Sequence, residues 1–495
     1  KNLNLHQANP DKSIYIGDTA SSSTDAESMA AASLFASGGV FSQVENLNLY
    51  ADNNNQNIHL QDVDFQNANI TASQRYTNRR QTLNIAGNVS TKGSLKVHTN
   101  KFNVADNATL KSYGLDLNYS SLNIIRAGSN AKIISGNKQA FKYTGGRLFI
   151  VNNTDLTQSN SINYDFLNAL DGFSDYEVGV SDFLEMYEGQ LNKSVTFNGY
   201  IILIEGKLGI ASPNNEDTTI NARYGINSID GGIQMQGKGT LNLITDGEIE
   251  LSDTKLDMGE GNLNMVAENL KVFGNSQVSG RGNLYLNTAV TNGSQPIILG
   301  STGGNDYTLY IKPEYFRSGG LFSNLKGRVY IGLLPGDNAQ PTNAPIHRTS
   351  GTNINNELYL ATQGDIQGFD GSSLNTSGNN LYLISQGGNI DLSKTALYNT
   401  PIKQAVANDS VKLNNTNNTL GSITNVSGPK GVEIYSTGRI YTGRESDSGI
   451  TASNGCITII SDGSSVELGK YANFTANKVF IFAQDRDKGA FKNYA

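Results

Sequence analysis

A short leucine motif that returns every 21 to 23 residues is the feature that most limits how this 495-residue chain folds. It appears as Gly239-Thr-Leu-Asn-Leu243, Gly261-Asn-Leu-Asn-Met265 and Gly282-Asn-Leu-Tyr-Leu286, with first leucines 22 and 21 residues apart. Two later copies, Asn356-Glu-Leu-Tyr-Leu360 and Asn380-Leu-Tyr-Leu383, are separated by 23 residues. A fixed period of this length is typical of solenoids and other repeat proteins.

Within each repeat, apolar and polar residues alternate, which is the period of a β-strand. Leu241–Leu251 contains two such stretches around a Gly-containing turn, and the pattern returns in Leu381–Leu392 and Ile457–Leu468. A unit of two or three short strands cannot bury its own apolar side, whereas stacked units bury a continuous core. The sequence therefore predicts an all-β fold, a right-handed parallel β-helix of about twenty coils, each of roughly 22 residues.

The composition agrees with stacked coils and excludes other classes of protein. The 53 glycines suit tight corners, where asparagine also tolerates left-handed backbone. The longest apolar run, Tyr200–Ile204, is far shorter than the ~20 residues of a membrane helix. Cys456 is the only cysteine, and the net charge of −7 gives no electrostatic reason to bind nucleic acid. We expect a protein that is not membrane-embedded and does not bind nucleic acid.

The periodic pattern covers most of the chain, and we expect one elongated rod with irregular additions. The expected segments are an N-terminal cap or start of the rod with a small-residue loop (1–43), the rod (44–485), insertions in it (about 163–190 and 313–350), and a continuation towards a larger protein (486–495). Within the first segment, Asp25–Ala36 suits a short helix. The chain starts at Lys1 without an apolar signal segment, so we expect a processed or excised piece.

The two insertions differ in character. In the first, Phe183, Leu184 and Tyr187 are spaced to share one face of a helix. This insertion is either structural cover or a protruding recognition site, and its candidate binding residues are Tyr164, Phe166, Phe173, Tyr176, Phe183 and Tyr187. The second holds four of the nine prolines, which predicts an extended loop beside a two-strand piece, Arg328–Gly332.

Three further tyrosines share one position in the repeat. Tyr285, Tyr359 and Tyr382 each lie between two leucines that alternation points inward, so the tyrosines point outward. Tyr359 and Tyr382 are one coil apart and are expected to stack on the surface. Such a ladder stabilises a sheet. It is also a candidate surface for binding sugar rings, and both interpretations stay open.

Residues for catalysis are sparse. The four histidines lie in different repeats, which argues against a zinc site or a catalytic triad. Glu250 and Asp391 occupy matching positions, but alternation points both outward. We expect no catalytic residues, no metal and no cofactor, and hence no enzyme. The alternative is a β-helical polysaccharide-degrading enzyme, such as a tailspike-like hydrolase or lyase, which would need a pair of carboxylates in a groove.

The coil motif, as in Gly282-Asn-Leu-Tyr-Leu-Asn-Thr288 and Leu241–Leu251, resembles filamentous-haemagglutinin-like exoproteins of Gram-negative bacteria over about residues 44–485, with gaps. The resemblance implies a secreted or cell-surface β-helical rod, exported by two-partner secretion through an outer-membrane transporter. That family's secretion domain carries Asn-Pro-Asn motifs, whereas this sequence departs from the motif with Asn9-Pro10-Asp11.

From these features we expect a structural and adhesive rod on a bacterial surface. Its binding surface would face a host or bacterial receptor or a glycan, and its coils favour self-association into fibres because unpaired strand edges recruit further strands. Besides the polysaccharide-degrading enzyme, the passenger of an autotransporter toxin remains an alternative.

Overall fold

The computed structural model describes residues 1–7, 12–17, 26–51, 56–66, 68–74, 81–117, 124–135, 148–151, 161–171, 183–197, 199–211, 215–289, 295–300, 308–336, 340–484 and 491–493. The chain is 60% strand and 4% helix, and its parallel sheets form a β-solenoid of about 16 turns. The predicted all-β parallel β-helix is therefore confirmed. It has fewer turns than the expected twenty because some coils are long: Leu284 pairs with Val329, 45 residues later.

The chain divides into two compact units, each built from parallel strand pairs. The first comprises residues 1–211 and 219–232, and the second comprises 212–218 and 233–495. No helix among the described residues has both the length and the apolar character needed to cross a bilayer.

The elements of the first unit are β1 (Asn2–His6), β2 (Ser13–Gly17), β3 (Ala26–Ala30), β4 (Asn46–Ala51), β5 (Ile58–Phe65), β6 (Asn69–Gln74), β7 (Thr82–Thr91), β8 (Ser94–His98), β9 (Lys101–Val104), β10 (Thr109–Ser112), β11 (Gly114–Leu117), β12 (Ile124–Ala127), β13 (Lys132–Ser135), β14 (Leu148–Val151), β15 (Ser161–Asn163), α1 (Tyr164–Ala169), β16 (Leu170–Asp171), β17 (Phe183–Met186), β18 (Gly189–Leu191), β19 (Val195–Phe197) and β20 (Tyr200–Ala211). Both units contribute residues to β21 (Thr218–Ala222) and β22 (Gly225–Gln236).

The strands of the second unit are β23 (Thr240–Thr245), β24 (Glu248–Ser252), β25 (Lys255–Asp257), β26 (Asn262–Ala267), β27 (Asn269–Phe273), β28 (Gln277–Gly280), β29 (Leu284–Thr288), β30 (Ile297–Leu299), β31 (Tyr310–Ile311), β32 (Asn324–Leu325), β33 (Val329–Ile331), β34 (Ile346–Arg348), β35 (Gly351–Asn353), β36 (Leu358–Thr362), β37 (Ile366–Gly368), β38 (Ser372–Asn375), β39 (Leu381–Ser385), β40 (Ile390–Asp391), β41 (Thr395–Tyr398), β42 (Ile402–Ala407), β43 (Ser410–Leu413), β44 (Gly421–Ser427), β45 (Gly431–Ser436), β46 (Ile440–Thr442), β47 (Gly449–Asp462), β48 (Val466–Leu468), β49 (Phe474–Gln484) and β50 (Phe491–Asn493).

The first 43 residues already contribute strands to the coils of the first unit. β1 pairs in parallel with β4, and β2 pairs in parallel with β5. The short helix expected over Asp25–Ala36 is wrong, because Ala26–Ala30 forms β3 beside β2 and only Ala32–Leu34 forms a 3-10 turn. A helix of this length is marginal in water, whereas a strand beside β2 gains ladder hydrogen bonds at once.

The described residues of the first expected insertion largely form part of the coils. The insertion contains a real helix, α1, but the helical face predicted for Phe183–Tyr187 is wrong, since Phe183–Met186 is β17. β17 pairs in parallel with both β14 and β20. Hydrogen-bonded partners on both sides outweigh a weak helical spacing in a four-residue stretch.

Asparagine serves the corners of the coils, as expected. Asn107 and Asn130 both have φ of 58°, the left-handed region that asparagine tolerates. The Asn130 side-chain amide donates to Asn107 Oδ1 at 3.3 Å, so the two corners lie one above the other. Repeating the same corner in consecutive coils keeps the strands that follow it in register.

Columns of apolar side chains form the core of the second unit. Leu241, Leu263 and Leu284 pair at successive coils, as the spacing predicts, and are at most 1% exposed. The same column continues through a set of buried residues: Val329, Leu358, Leu381, Ile402 and Ile423. Burial of each such side chain contributes about 1.5–3 kcal/mol, so the column holds neighbouring coils in one register.

The segment around the second expected insertion combines added residues with regular coil strands. Pro313–Phe316 forms a 3-10 turn, and its Tyr315 hydroxyl donates to Leu270 O at 3.0 Å. Within the expected boundaries, however, β32, β33 and β34 pair in parallel with β28, β29 and β30. Leu325 lies 45 residues after its partner Gly280, so much of the added length precedes β32.

Candidate functional site

A ladder of four tyrosines lies on one strand column of the second unit. Tyr285, Tyr330, Tyr359 and Tyr382 are register partners on β29, β33, β36 and β39. Their ring centroids are 4.7, 4.4 and 4.0 Å apart, with interplanar angles of 9°, 24° and 7°. We call these four residues the tyrosine ladder. The expected stacking of Tyr359 on Tyr382 is confirmed. The ladder also contains Tyr330, which was not among the predicted residues.

The core explains why the four rings meet. Each tyrosine lies between two inward residues, as Tyr359 does between Leu358 and Leu360, which are both fully buried. Alternation along the strand then points the tyrosine outward. Because the inward residues pair in register from coil to coil, the tyrosines repeat at the strand spacing of about 4.8 Å, which matches the distance between stacked rings.

A row of polar side chains runs beside the tyrosine ladder, each two residues before its tyrosine and directly before the strand begins. The Arg328 Nε donates to Glu357 Oε2 at 2.6 Å, and Asn380 Nδ2 donates to Glu357 Oε1 at 3.1 Å. In the same row, Asn283 Oδ1 accepts the Arg328 backbone N–H at 3.0 Å. We call Asn283, Arg328, Glu357 and Asn380 the polar row. Its one positive and one negative charge face each other.

Two hydroxyl groups of the ladder, those of Tyr285 and Tyr359, are neutral donors and acceptors. Burial is the main cause that raises the pKa of Tyr285 and of Tyr359, so both phenols keep their protons at neutral pH. A side-chain hydrogen bond with Tyr382 adds to the effect at Tyr359. The Tyr330 side chain is the first cause that raises the pKa of Arg328 and Glu357 is the second, so the polar row and the ladder interact.

No family model, curated protein or solved structure matches the chain.

The candidate residues of the first unit are divided between core and surface. Tyr164 and Phe166 on α1 are 4% and 0% exposed, so the structure places both in the interior. Phe166 packs edge-on against Phe102 with centroids 6.1 Å apart. Tyr187 is half-buried. Phe173 and Tyr176 lie outside the described residues.

A second, shorter aromatic group lies in the first unit. Phe183 stacks on Tyr200 with centroids 5.4 Å apart and an interplanar angle of 18°. Tyr200 is 36% exposed and lies 5.8 Å from Tyr224. Among the candidate binding residues of this unit, Phe183 is thus half-buried and lies next to an exposed aromatic ring. Tyr200 and Tyr224 were not among the predicted binding residues, although Tyr200 begins the longest apolar run, Tyr200–Ile204.

We expect Tyr164 to make the stability of the first unit fall at alkaline pH. Its hydroxyl donates to Tyr187 O at 2.5 Å, and burial raises its pKa above the ordinary value of 10.0. Above pH 10 the unfolded chain releases this proton while the folded chain keeps it, so the free energy of unfolding falls by about 1.4 kcal/mol per pH unit. Urea unfolding between pH 8 and 11.5 measures the slope. Tyr164→Phe should reduce it, and an unchanged slope would contradict this assignment.

Carboxylates of interest for catalysis meet in a separate polar groove of about 290 Å³. It is lined by Asp365 and Asp391 together with Lys412 and polar neighbours. Asp365 Oδ1 accepts the Asn389 N–H at 2.6 Å, and Asp391 Oδ1 accepts the Ser393 hydroxyl at 2.6 Å. Glu250 instead lies opposite Lys271 on another strand pair. No group of three or more His, Cys, Asp or Glu residues in the described part of the chain is arranged to hold a metal ion.

Proposed function

We propose that this chain is a structural and adhesive solenoid of a secreted bacterial surface protein, of the filamentous-haemagglutinin-like kind that its coil motif resembles. The observation that carries the proposal is the tyrosine ladder, which buried columns hold at a constant register on the outside of the coils. A site on rigid strands is pre-organised, so that binding orders few groups. Tyrosine is also a residue that binding surfaces favour.

Several partners follow from this proposal. They are a host or bacterial surface receptor or glycan, further copies of the chain, and the outer-membrane transporter that the resemblance implies.

Adhesion of the whole chain to cells tests the proposal. Beads coated with the folded chain should be retained on Gram-negative bacteria or on epithelial cells severalfold more than beads coated with the same chain after heat unfolding. Folded coils present the ladder and its neighbouring rows at fixed spacing, whereas an unfolded chain does not. Equal retention of the two bead types on every surface would contradict the adhesive function.

The groove with Asp365 and Asp391 favours a second candidate, a β-helical polysaccharide-degrading enzyme. Paired carboxylates in one groove are the groups that glycoside hydrolysis requires. A reducing-end assay with linear polysaccharides separates the two functions. Release of new ends that is lost in Asp365→Asn and Asp391→Asn would favour the enzyme, and no release supports a binding role.

A further inference from the structure

The tyrosine ladder is the centre of a longer row without charge. Its register partners on either side are Asn242 and Asn264 before the tyrosines, and Gln404 and Asn425 after them. Eight consecutive coils of one unit therefore carry an amide or a phenol at the same position, and seven of the eight side chains are partly exposed, Asn264 being buried. At about 4.8 Å per coil, the row extends over roughly 34 Å. We call these eight residues the neutral row.

Stacking within the ladder determines which atoms of the tyrosines a ligand meets. Centroids 4.0–4.7 Å apart leave no space for another group between the rings, because stacked atoms already touch at about 3.5–4.0 Å. A sugar ring therefore cannot lie on the inner ring faces. What remains accessible is the line of ring edges and hydroxyl groups, each hydroxyl being both a donor and an acceptor.

The charges beside the neutral row do not favour an ionic ligand. Arg328 and Glu357 form an ion pair at 2.6 Å, and their side chains are 53% and 27% exposed. The guanidinium is thus already engaged by a carboxylate. Both rows together present amides, hydroxyls and one neutralised pair, which are groups suited to hydrogen bonds with a neutral, hydroxyl-rich partner.

We propose that the neutral row binds a neutral, linear polysaccharide lengthwise, with the chain's hydroxyl groups bonded to the tyrosine hydroxyls and to the amides of the row. A regular row of identical groups fits a polymer with repeating units, because each added unit meets a further coil and the contacts act together. This inference rests on the proposed adhesive function in that it names a ligand class for the same surface.

Affinity electrophoresis of the folded chain in native gels tests the proposal. The gels contain either neutral linear glucans or xylans, or the acidic polymers alginate or hyaluronate. We expect at least one neutral polymer to retard the chain, and neither acidic polymer to do so. The double variant Tyr359→Phe and Tyr382→Phe keeps the stacked rings. Its dissociation constant for the polymer, taken from the retardation, should rise at least about fivefold, since two hydroxyl contacts are lost.

Two further variants serve as controls. The double variant Tyr359→Asn and Tyr382→Asn introduces the residue that the row itself carries at Asn264 and Asn425. It should bind better than the phenylalanine variant, because its amides can bond the polymer whereas phenylalanine has no polar group. Tyr398→Asn, at a tyrosine 40% exposed on β41 outside the row, should bind like the wild type. Thermal unfolding of each variant confirms that it is folded.

Several outcomes would overturn the inference. They are full binding by the phenylalanine variant, no retardation by any neutral polymer, preference for the acidic polymers, and binding only to a protein receptor. The adhesive function fails separately, if coated beads do not adhere to any cell. If the ladder variants still adhere to cells, the adhesive function is retained and the proposal that this row binds a polysaccharide is contradicted.

Discussion

Replacing Leu263 by Asp should lower the free energy of unfolding of the second unit by on the order of 4–5 kcal/mol. Leu263 is fully buried and pairs with Leu241 on one side and Leu284 on the other. A carboxylate there has no partner in the apolar column, so it must either be desolvated or take up a proton. Urea unfolding followed by circular dichroism measures the loss.

The matched control for this change is an outward residue on the adjacent coil. Asn242→Asp should change stability by less than about 0.5 kcal/mol, because Asn242 is half-buried and its Oδ1 acts as an acceptor for Asn264, a role that Asp retains. Asn264 itself is a poorer control, since it is only 3% exposed and hydrogen-bonded. Equal losses for Leu263→Asp and Asn242→Asp would overturn the assignment of the inward face.

Replacing Arg348 by Ala should cost the same unit about 3–5 kcal/mol. Arg348 is 0% exposed on β34, and its guanidinium donates to Leu299 O at 3.0 Å and to Ser350 O at 2.9 Å. It also donates to Thr352 Oγ1 at 3.2 Å and to Ser373 O. Truncation leaves a cavity and leaves these buried acceptors without donors. An unsatisfied buried acceptor costs its full desolvation free energy.

The pKa of Arg348 is consistent with a structural role of this side chain as a buried, charged hydrogen-bond donor. Burial lowers it to about 9, which still leaves the guanidinium protonated at neutral pH. The exposed Arg328, 53% accessible in its ion pair with Glu357, provides the control: Arg328→Ala should cost less than about 1 kcal/mol. Urea midpoints of the two variants test the contrast, and a loss at Arg348 no larger than that at Arg328 would contradict this role.

The regular coils could be predicted from the sequence because alternation and spacing act together there. Leu241, Leu263 and Leu284 pair as their separations of 22 and 21 residues require. Tyr359 and Tyr382 follow from the same rule, since fixing the inward leucines fixes the outward residue between them. The parallel β-helix and the stacking of Tyr359 on Tyr382 could therefore be predicted from the local sequence pattern alone.

Other features depended on pairing across longer intervals. Tyr330 joins the ladder only because its coil is 45 residues long, which breaks the period by which the other tyrosines were found. Arg348 alternates with Ile346 and so lies on the inward side, a signal present in the sequence but opposed by its charge. The helix expected at Phe183–Tyr187 was wrong because five residues are too few to establish a helical period, and the pairing with β14 and β20 determines the structure.

Spin-label distances along the neutral row test the stacking of coils most directly. In a Cys456→Ser background, labels would be placed by Asn242→Cys with either Gln404→Cys or Asn425→Cys, six and seven coils away in register. At about 4.8 Å per coil, pulsed electron paramagnetic resonance should give narrow distributions near roughly 29 Å and 34 Å. Broad distributions, or distances that do not increase by about one strand spacing between the two pairs, would contradict a parallel, in-register solenoid.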